Sequence, residues 1–265
     1  MLSSDDLRLM REVVLKKTGI DLSCYKENQL RRRLQFIILR SGASDVSEYL
    51  RLLEENPRVL EDFKNRFTIN VSEFFRNPER FRDLEEKILP DLLALGSWEV
   101  KIWSAGCSVG SEPYSLAILF EEKGLSRRYR IWATDLDEPA LAKAESGQYS
   151  QEYLKNVPPP LQEKYFIKLT QNGYQVNPKL KRRIKFEKHD LLRDPVEDHF
   201  QLVICRNVVI YFENEAKNQA FSKLSQALVP GGYLWIGSTE RISSPADFGL
   251  QYVIPFFYRK VEGGK

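Results

Sequence analysis

The run Gly106-Cys107-Ser108-Val109-Gly110 follows an apolar stretch, Lys101-Ile102-Trp103-Ser104-Ala105, and opens a segment with helical spacing from Glu112 to Glu122. A strand that turns through glycines into a helix brings backbone N–H groups against a ligand, because glycine takes conformations that a side chain forbids and can be approached closely. Pro113 suits the first turn of that helix, where a missing N–H costs nothing. Two chemistries match: a cradle for a nucleotide-like ligand, and the G-x-S-x-G elbow of a serine hydrolase with Ser108 as nucleophile. The rest of the chain weighs against the elbow. A hydrolase of that class needs strands before the nucleophile, and the residues before Val100 read as helical. Its histidine should follow the acid late in the sheet, yet the two histidines, His189 and His199, both precede the run Leu202 to Cys205. No His-Gly-Gly run offers an oxyanion hole. The glycine spacing is not G-x-G-x-x-G and no P-loop lysine is present, which argues against nicotinamide and P-loop chemistry.

Other chemistry-bearing residues fall where apolar runs end. Asp135 closes Tyr129 to Thr134, and an acid ending the second strand of such a unit can accept hydrogen bonds from both hydroxyls of a ribose. Asp137, two residues on, already serves as the helix cap. His189-Asp190-Leu191 follow Ile184 to Lys188, and Arg206-Asn207 follow Leu202 to Cys205. In an open α/β sheet these ends share the carboxyl edge where ligands bind. Earlier, the linker Asn70 to Pro78 sets Arg76 beside Phe74 and Phe75. A weakly hydrated guanidinium there is suited to grip a carboxylate.

The elements that must position these residues come in two textures. Up to about Pro90 the pattern is helical, with a helix from Lys26 to Arg40 whose apolar stripe is Leu30, Leu34, Ile37 and Ile38. Arg32, Arg33 and Arg40 project from a different sector, so that helix is either solvated on a basic face or docks an acidic partner there. From Val100 strands and helices alternate, the signature of a parallel sheet covered by helices. Residues 147–183 interrupt the alternation with a small hairpin insertion around Asn172-Gly173. A helix from Asn214 to Leu228, a strand from Tyr233 to Ser238 and one aromatic strand from Gln251 to Arg259 complete the pattern. The 265 residues are 42% hydrophobic with a net charge of +3, so any basic function rests on local clustering rather than on global charge. The polar, acidic beginning and the lack of about 18 consecutive uncharged apolar residues point to a cytoplasmic protein without membrane insertion. Cys24, Cys107 and Cys205 are odd in number and far apart, against a disulfide framework or a structural metal.

Four stretches together carry a family resemblance: Asn70-Val71-Ser72-Glu73-Phe74-Phe75-Arg76, Ser104 to Ser115, Ala133-Thr134-Asp135-Leu136-Asp137, and Cys205-Arg206-Asn207-Val208-Val209-Ile210-Tyr211-Phe212. In order and spacing they resemble CheR, the chemotaxis receptor glutamate methyltransferases, over essentially the whole chain. The resemblance implies an α/β fold of the class I S-adenosylmethionine-dependent methyltransferase kind, a Rossmann-like sheet with helices on both faces. The implied parts are an all-α N-terminal domain (1–75), the methyltransferase domain (76–265) and a small β-subdomain (147–183) inserted within it.

By resemblance, Arg76 matches the arginine that holds the methionine carboxylate, with Asn70 and Ser72 also contacting the cofactor. Glu112 matches the acid near the amino group, Asp135 the ribose acid, and the pairs Asp190-Leu191 and Asn207-Val208 the residues flanking the adenine and the sulfonium region. Tyr211 matches the tyrosine beside the transfer site, so Arg76 and Tyr211 are the catalytic candidates. Ser72 stands where threonine is usual, Ser111 where a glutamate often precedes Glu112, and Asp190 where asparagine is common; a carboxylate reverses the hydrogen-bond pattern of an amide. The implied reaction turns a receptor glutamate into its methyl ester and leaves S-adenosyl-L-homocysteine, without nucleic acid or metal. The implied partner is the acidic, helical cytoplasmic region of a membrane chemoreceptor, met by a monomer with Arg32, Arg33 and Arg40 as docking candidates and Phe36 among them. The segment between Phe166 and Ile184 is short beside members that grip a receptor tail by strand addition, which suggests an enzyme independent of that tether. The alternative is a CheR-like methyltransferase or cofactor-sensing module acting on a protein other than a chemoreceptor.

Overall fold

The computed structural model describes residues 2–67, 72–170 and 173–261, in two compact units.

The first unit is Met1–Ile69 together with Tyr211–Asn218. Its helices are Ser4–Thr18, Glu27–Ser41, Val46–Glu55 and Pro57–Phe67. Local chemistry fixes their ends: Ser3 and Asp6 cap each other reciprocally, Asp45 Oδ1 accepts the Glu48 N–H at 2.8 Å, and Gly19 and Gly42 end their helices with φ of 79° and 80°. The apolar stripe of the second helix packs inward, with Leu30, Leu34, Ile37 and Ile38 buried alongside Met10, Tyr49 and Phe63. The late segment joins by backbone pairing, Lys26 N–H to the Tyr211 carbonyl at 2.9 Å and Glu213 N–H to the Cys24 carbonyl at 2.8 Å. Tyr25 adds edge-on rings with Phe67 and Phe212, at 5.2 and 5.5 Å between centroids.

The second unit holds a seven-stranded sheet built from β1 (Val100–Ala105), β2 (Tyr129–Asp135), β6 (Ile184–Lys188), β7 (Phe200–Cys205), β8 (Leu228–Ile236), β9 (Leu250–Ile254) and β10 (Phe257–Lys260). The order is β6-β2-β1-β7-β8-β10-β9. The first five strands are parallel, and β10 runs antiparallel to both neighbours. This is the class I methyltransferase sheet. The strand order reverses between β1 and β7, which opens a crevice at their carboxyl ends. Buried strands explain the apolar runs: every residue of β7 is buried, and helix Ser111–Glu122 buries Tyr114, Leu116, Ala117, Ile118 and Phe120 against the sheet. Phe74 is wholly buried, edge-on to Tyr149 and Phe166 at 4.9 Å each.

A second sheet of three short strands, β3 (Gln148–Ser150), β4 (Phe166–Lys168) and β5 (Gly173–Val176), has β5 in the middle. Its strand β3 has no counterpart in the sequence reading, because three residues are too few to show a period. Two further differences lie near the C-terminus. The single strand expected over Gln251 to Arg259 is a hairpin, broken where Pro255 lacks a donor and Phe256 turns at φ 74°. The strand expected from Tyr233 begins at Leu228, so Pro230-Gly231-Gly232 lies inside β8, where the pairing with β7 shifts register between Phe200 and Leu202.

Candidate functional site

The glycine turn and the end of β2 hold each other. Gly106 and Cys107 donate their N–H groups to the Thr134 carbonyl at 2.8 and 2.9 Å. Ser108, at φ 50°, donates its N–H to Asp135 Oδ2 at 2.7 Å, and Asp137 donates to Asp135 Oδ1 at 2.9 Å. Burial raises the Asp135 carboxyl above its ordinary value, while those N–H groups act in the opposite direction. A carboxylate offers about four lone-pair positions, more than these backbone donors use, so Asp135 can still accept ligand hydroxyls. Burial also pushes up the Cys107 and Cys205 thiols, which keeps both neutral.

On the other side of the turn, Glu112 lies in the first turn of its helix. Its Oε1 accepts the Ser104 hydroxyl at 2.8 Å and its Oε2 accepts Arg206 Nη1 at 3.2 Å. Arg206 Nη2 reaches the linker, donating to the Arg76 carbonyl and to Asn77 Oδ1, both at 2.8 Å. The guanidinium stands 4.5 Å over the Trp235 ring. The end of β1, the helix carrying Glu112, the Arg76 linker and the end of β7 therefore form one connected network.

The Asn207-Val208 turn is secured by a residue from beyond β8. Glu240 Oε2 accepts the N–H groups of Asn207 at 3.0 Å and Gly237 at 2.6 Å, and its Oε1 accepts that of Val208 at 3.0 Å. This nest holds Asn207 in a left-handed conformation, φ 60°, and presses Val208 against Gly106. Burial raises the Glu240 carboxyl, with its backbone donors opposing.

Asp190 follows β6 and is occupied locally, its Oδ1 accepting the N–H groups of Leu192 at 2.8 Å and Arg193 at 3.2 Å; Leu191 beside it is half-buried. Ser72 is half-buried, and Asn70 lies outside the described residues. The network above thus joins Arg76, Glu112 and Asn207 through Arg206 and its chain neighbour, with Asp135 braced against the same turn. Asp190, Leu191 and Ser72 are not hydrogen-bonded into it in the contacts described above.

Within the helical unit, Arg32 and Arg40 are exposed, and the Arg40 guanidinium sits 5.4 Å above the half-exposed Phe36 ring. Arg33 departs from the expected basic face. It is half-buried, donates Nη2 to the Arg66 carbonyl, and burial lowers its proton affinity against the charges of Tyr211 and Tyr25. Arg33 lies three residues after buried Leu30 and four before buried Ile37, a spacing that sets it at the edge of the apolar stripe, where its stem turns inward. Tyr211 packs in this unit through the backbone pairing described above.

Arg206 enters the sequence reading only as a strand-ending residue within a motif, and Asn77 and Glu240 have no site role in it. Two signals point to Arg206 and Glu240. Arg206 is a cation placed directly after six buried strand residues, and Glu240 stands three residues after Gly237, which follows β8, a spacing that lets a carboxylate return to the turn N–H groups.

Residues 70–252 match the family described as CheR methyltransferase, SAM binding domain, and residues 5–68 match its all-alpha domain. The chemotaxis protein methyltransferase of Listeria monocytogenes is 40% identical, over 96% of this chain and 97% of that protein. The protein of the same name from Borreliella burgdorferi is 32% identical over 98% of this chain and 95% of its own length. That from Escherichia coli is 32% identical, over 91% and 86%.

Proposed function

Because the chain belongs to the CheR methyltransferase family and uses S-adenosylmethionine as its cofactor, we propose that it methylates glutamate side chains in the acidic helical cytoplasmic region of chemoreceptors, as a cytoplasmic monomer. The observation that supports this most is the network running from the Arg76 linker through Arg206 to Glu112, on a turn braced by Asp135. A cation, an acid and a second acid suit, in turn, the carboxylate, the ammonium and the ribose hydroxyls of the cofactor. Arg76 holds the carboxylate, Glu112 the ammonium and Asp135 the ribose, with Asn70, Ser72, Asp190, Leu191, Asn207 and Val208 completing the pocket.

When bound, the cofactor supplies an electrophilic methyl group; a glutamate oxygen takes it, and S-adenosylhomocysteine leaves with the electron pair of the broken C–S bond. The acceptor needs no base, since a glutamate side chain with a pKa of about 4.3 is ionised at neutral pH. The chain's contribution is alignment and exclusion of water. Tyr211 orients the acceptor rather than deprotonating it, so kcat should be flat from about pH 6 to about pH 9. Tyr211→Phe should lower kcat by about tenfold to a hundredfold while cofactor affinity stays within about twofold of wild type. Calorimetry beside steady-state rates checks both halves. An unchanged kcat would remove Tyr211 from the transfer step.

On the same proposal, the docking surface lies on the second helix of the helical unit. Arg32 and Arg40, with Phe36, meet the acidic receptor, while Arg33 supports the helix packing from a half-buried position. Methylation of an acidic helical receptor fragment should fall as salt rises from about 0.1 to about 1 M, where the screening length drops from about 10 to about 3 Å. The double reversal Arg32→Glu and Arg40→Glu should raise KM for the fragment about tenfold or more and abolish most of the salt dependence. A fragment methylated equally well by that variant would contradict this placement.

A further inference from the structure

We propose that Arg206 is a positioning residue for the methionine end of the cofactor, tying the linker that carries Arg76 to the helix that carries Glu112 so that the two groups gripping the carboxylate and the ammonium keep one spacing. The inference rests on the roles proposed above for Arg76 and Glu112.

Arg206 is an expensive residue where it stands. Its side chain is 4% exposed, inside a wall of Trp235 and Phe81, and its Nε is buried without a hydrogen-bond partner among the described residues. A buried ion pair is a weak means of stabilisation, since an apolar side chain of like volume fills such a space at least as well. What the guanidinium supplies is geometry. Its planar fork sends Nη1 to Glu112 Oε2 at 3.2 Å and Nη2 to the Arg76 carbonyl and Asn77 Oδ1 at 2.8 Å. A lysine ammonium, a single point on a flexible stem, cannot hold that divergent set.

The linker needs such a hold. Phe75 and Asn77, on either side of Arg76, are both left-handed, at φ 51° and 61°. Two non-glycine residues in that region persist only where the surroundings fix them. The Phe75 N–H is fixed by Ser115 Oγ at 2.9 Å, on the same helix as Glu112, and Asn77 is fixed by Arg206. Both anchors refer the linker to one helix. The Arg76 side chain is thereby aimed from a backbone locked to the element that presents Glu112.

The test compares two ligands by calorimetry: S-adenosylhomocysteine, which carries the amino-acid end, and 5′-methylthioadenosine, which lacks it. Arg206→Lys should weaken S-adenosylhomocysteine about tenfold or more, the loss of charge-assisted hydrogen bonds, while methylthioadenosine changes by no more than about twofold. KM for S-adenosylmethionine should rise in parallel. Asn77→Gly keeps the left-handed backbone and removes one Arg206 partner; it should give a smaller loss, about threefold, again only for the ligand with the amino-acid end. That variant decides the matter if Arg206→Lys does not fold. Equal losses for both ligands, or none, overturn the inference. Arg76→Ala run in the same series separates the two levels: if it fails to discriminate between the ligands, the assignment of the carboxylate grip falls. If it discriminates while Arg206→Lys and Asn77→Gly do not, only the role of Arg206 falls.

Discussion

Arg76→Ala should lower affinity for S-adenosylmethionine by about a hundredfold or more and leave the unfolding midpoint near that of the native chain. Arg76 is half-buried in the linker, and its main chain is already fixed by Arg206 at 2.8 Å, so truncating its side chain leaves the local fold in place. On the proposed assignment of Arg76, what it leaves is a ligand carboxylate in the crevice with its counter-charge gone. Removing one partner of a desolvated pair costs about 3–5 kcal/mol, and each 1.4 kcal/mol is about tenfold in affinity. Arg76→Lys should recover only part of the loss, because an ammonium cannot meet a carboxylate through two parallel N–H groups. Calorimetric titration decides: unchanged affinity in Arg76→Ala would mean that another group holds the methionine carboxylate.

Gly106→Ala should be the most damaging single-methyl change at the site. Gly106 has φ 78°, and a Cβ there would lie 2.4 Å from Val208 Cγ2. Val208 cannot step aside freely, because Glu240 pins its N–H and that of Asn207. Strain and overlap together should cost about 2–4 kcal/mol of stability and distort the wall formed by the Asn207-Val208 turn, so cofactor affinity falls as well. Gly124→Ala is the matched control. Gly124 has φ 70° with nothing among the described residues within 4 Å of the added methyl, so only the backbone cost of about 1–2 kcal/mol applies. Chemical unfolding of the two variants checks the difference. Equal losses would show that backbone conformation alone, and not the contact with Val208, makes glycine necessary at 106.

The residues legible in the sequence were those that terminate strands. Asp135 ends β2, whose Tyr129, Ile131 and Ala133 are buried, Asn207 stands two positions after Cys205 at the end of the wholly buried β7, and strand ends in a parallel sheet collect at one edge whatever the details of packing. The glycine turn was legible for the same reason, since the run before it and the helix after it are both long enough to show a period. Glu240 was not, because its work is done through space on N–H groups more than thirty positions earlier in the chain. Arg206 was visible as part of a motif, but a sequence does not reveal that its guanidinium reaches back to a linker near position 76. Arg33 shows the limit of a helical wheel: Arg32 and Arg33 look alike by composition, and a difference of one position sends one outward and the other against the Arg66 carbonyl. The C-terminal hairpin escaped for a local reason. Aromatic residues continue through the turn, and Pro255 alone marks where the ladder must break.

The proposed reaction has a chemical signature that nitrogen, thiol and hydroxyl acceptors do not share. After transfer of a labelled methyl group from S-adenosylmethionine to an acidic helical fragment of a chemoreceptor, brief treatment with base should release the label as volatile methanol, as a carboxyl ester requires. Substituting the fragment's glutamates by alanine should abolish incorporation. Label that enters the fragment but stays bound in base would identify a nitrogen or ether linkage and contradict glutamate methylation by this chain.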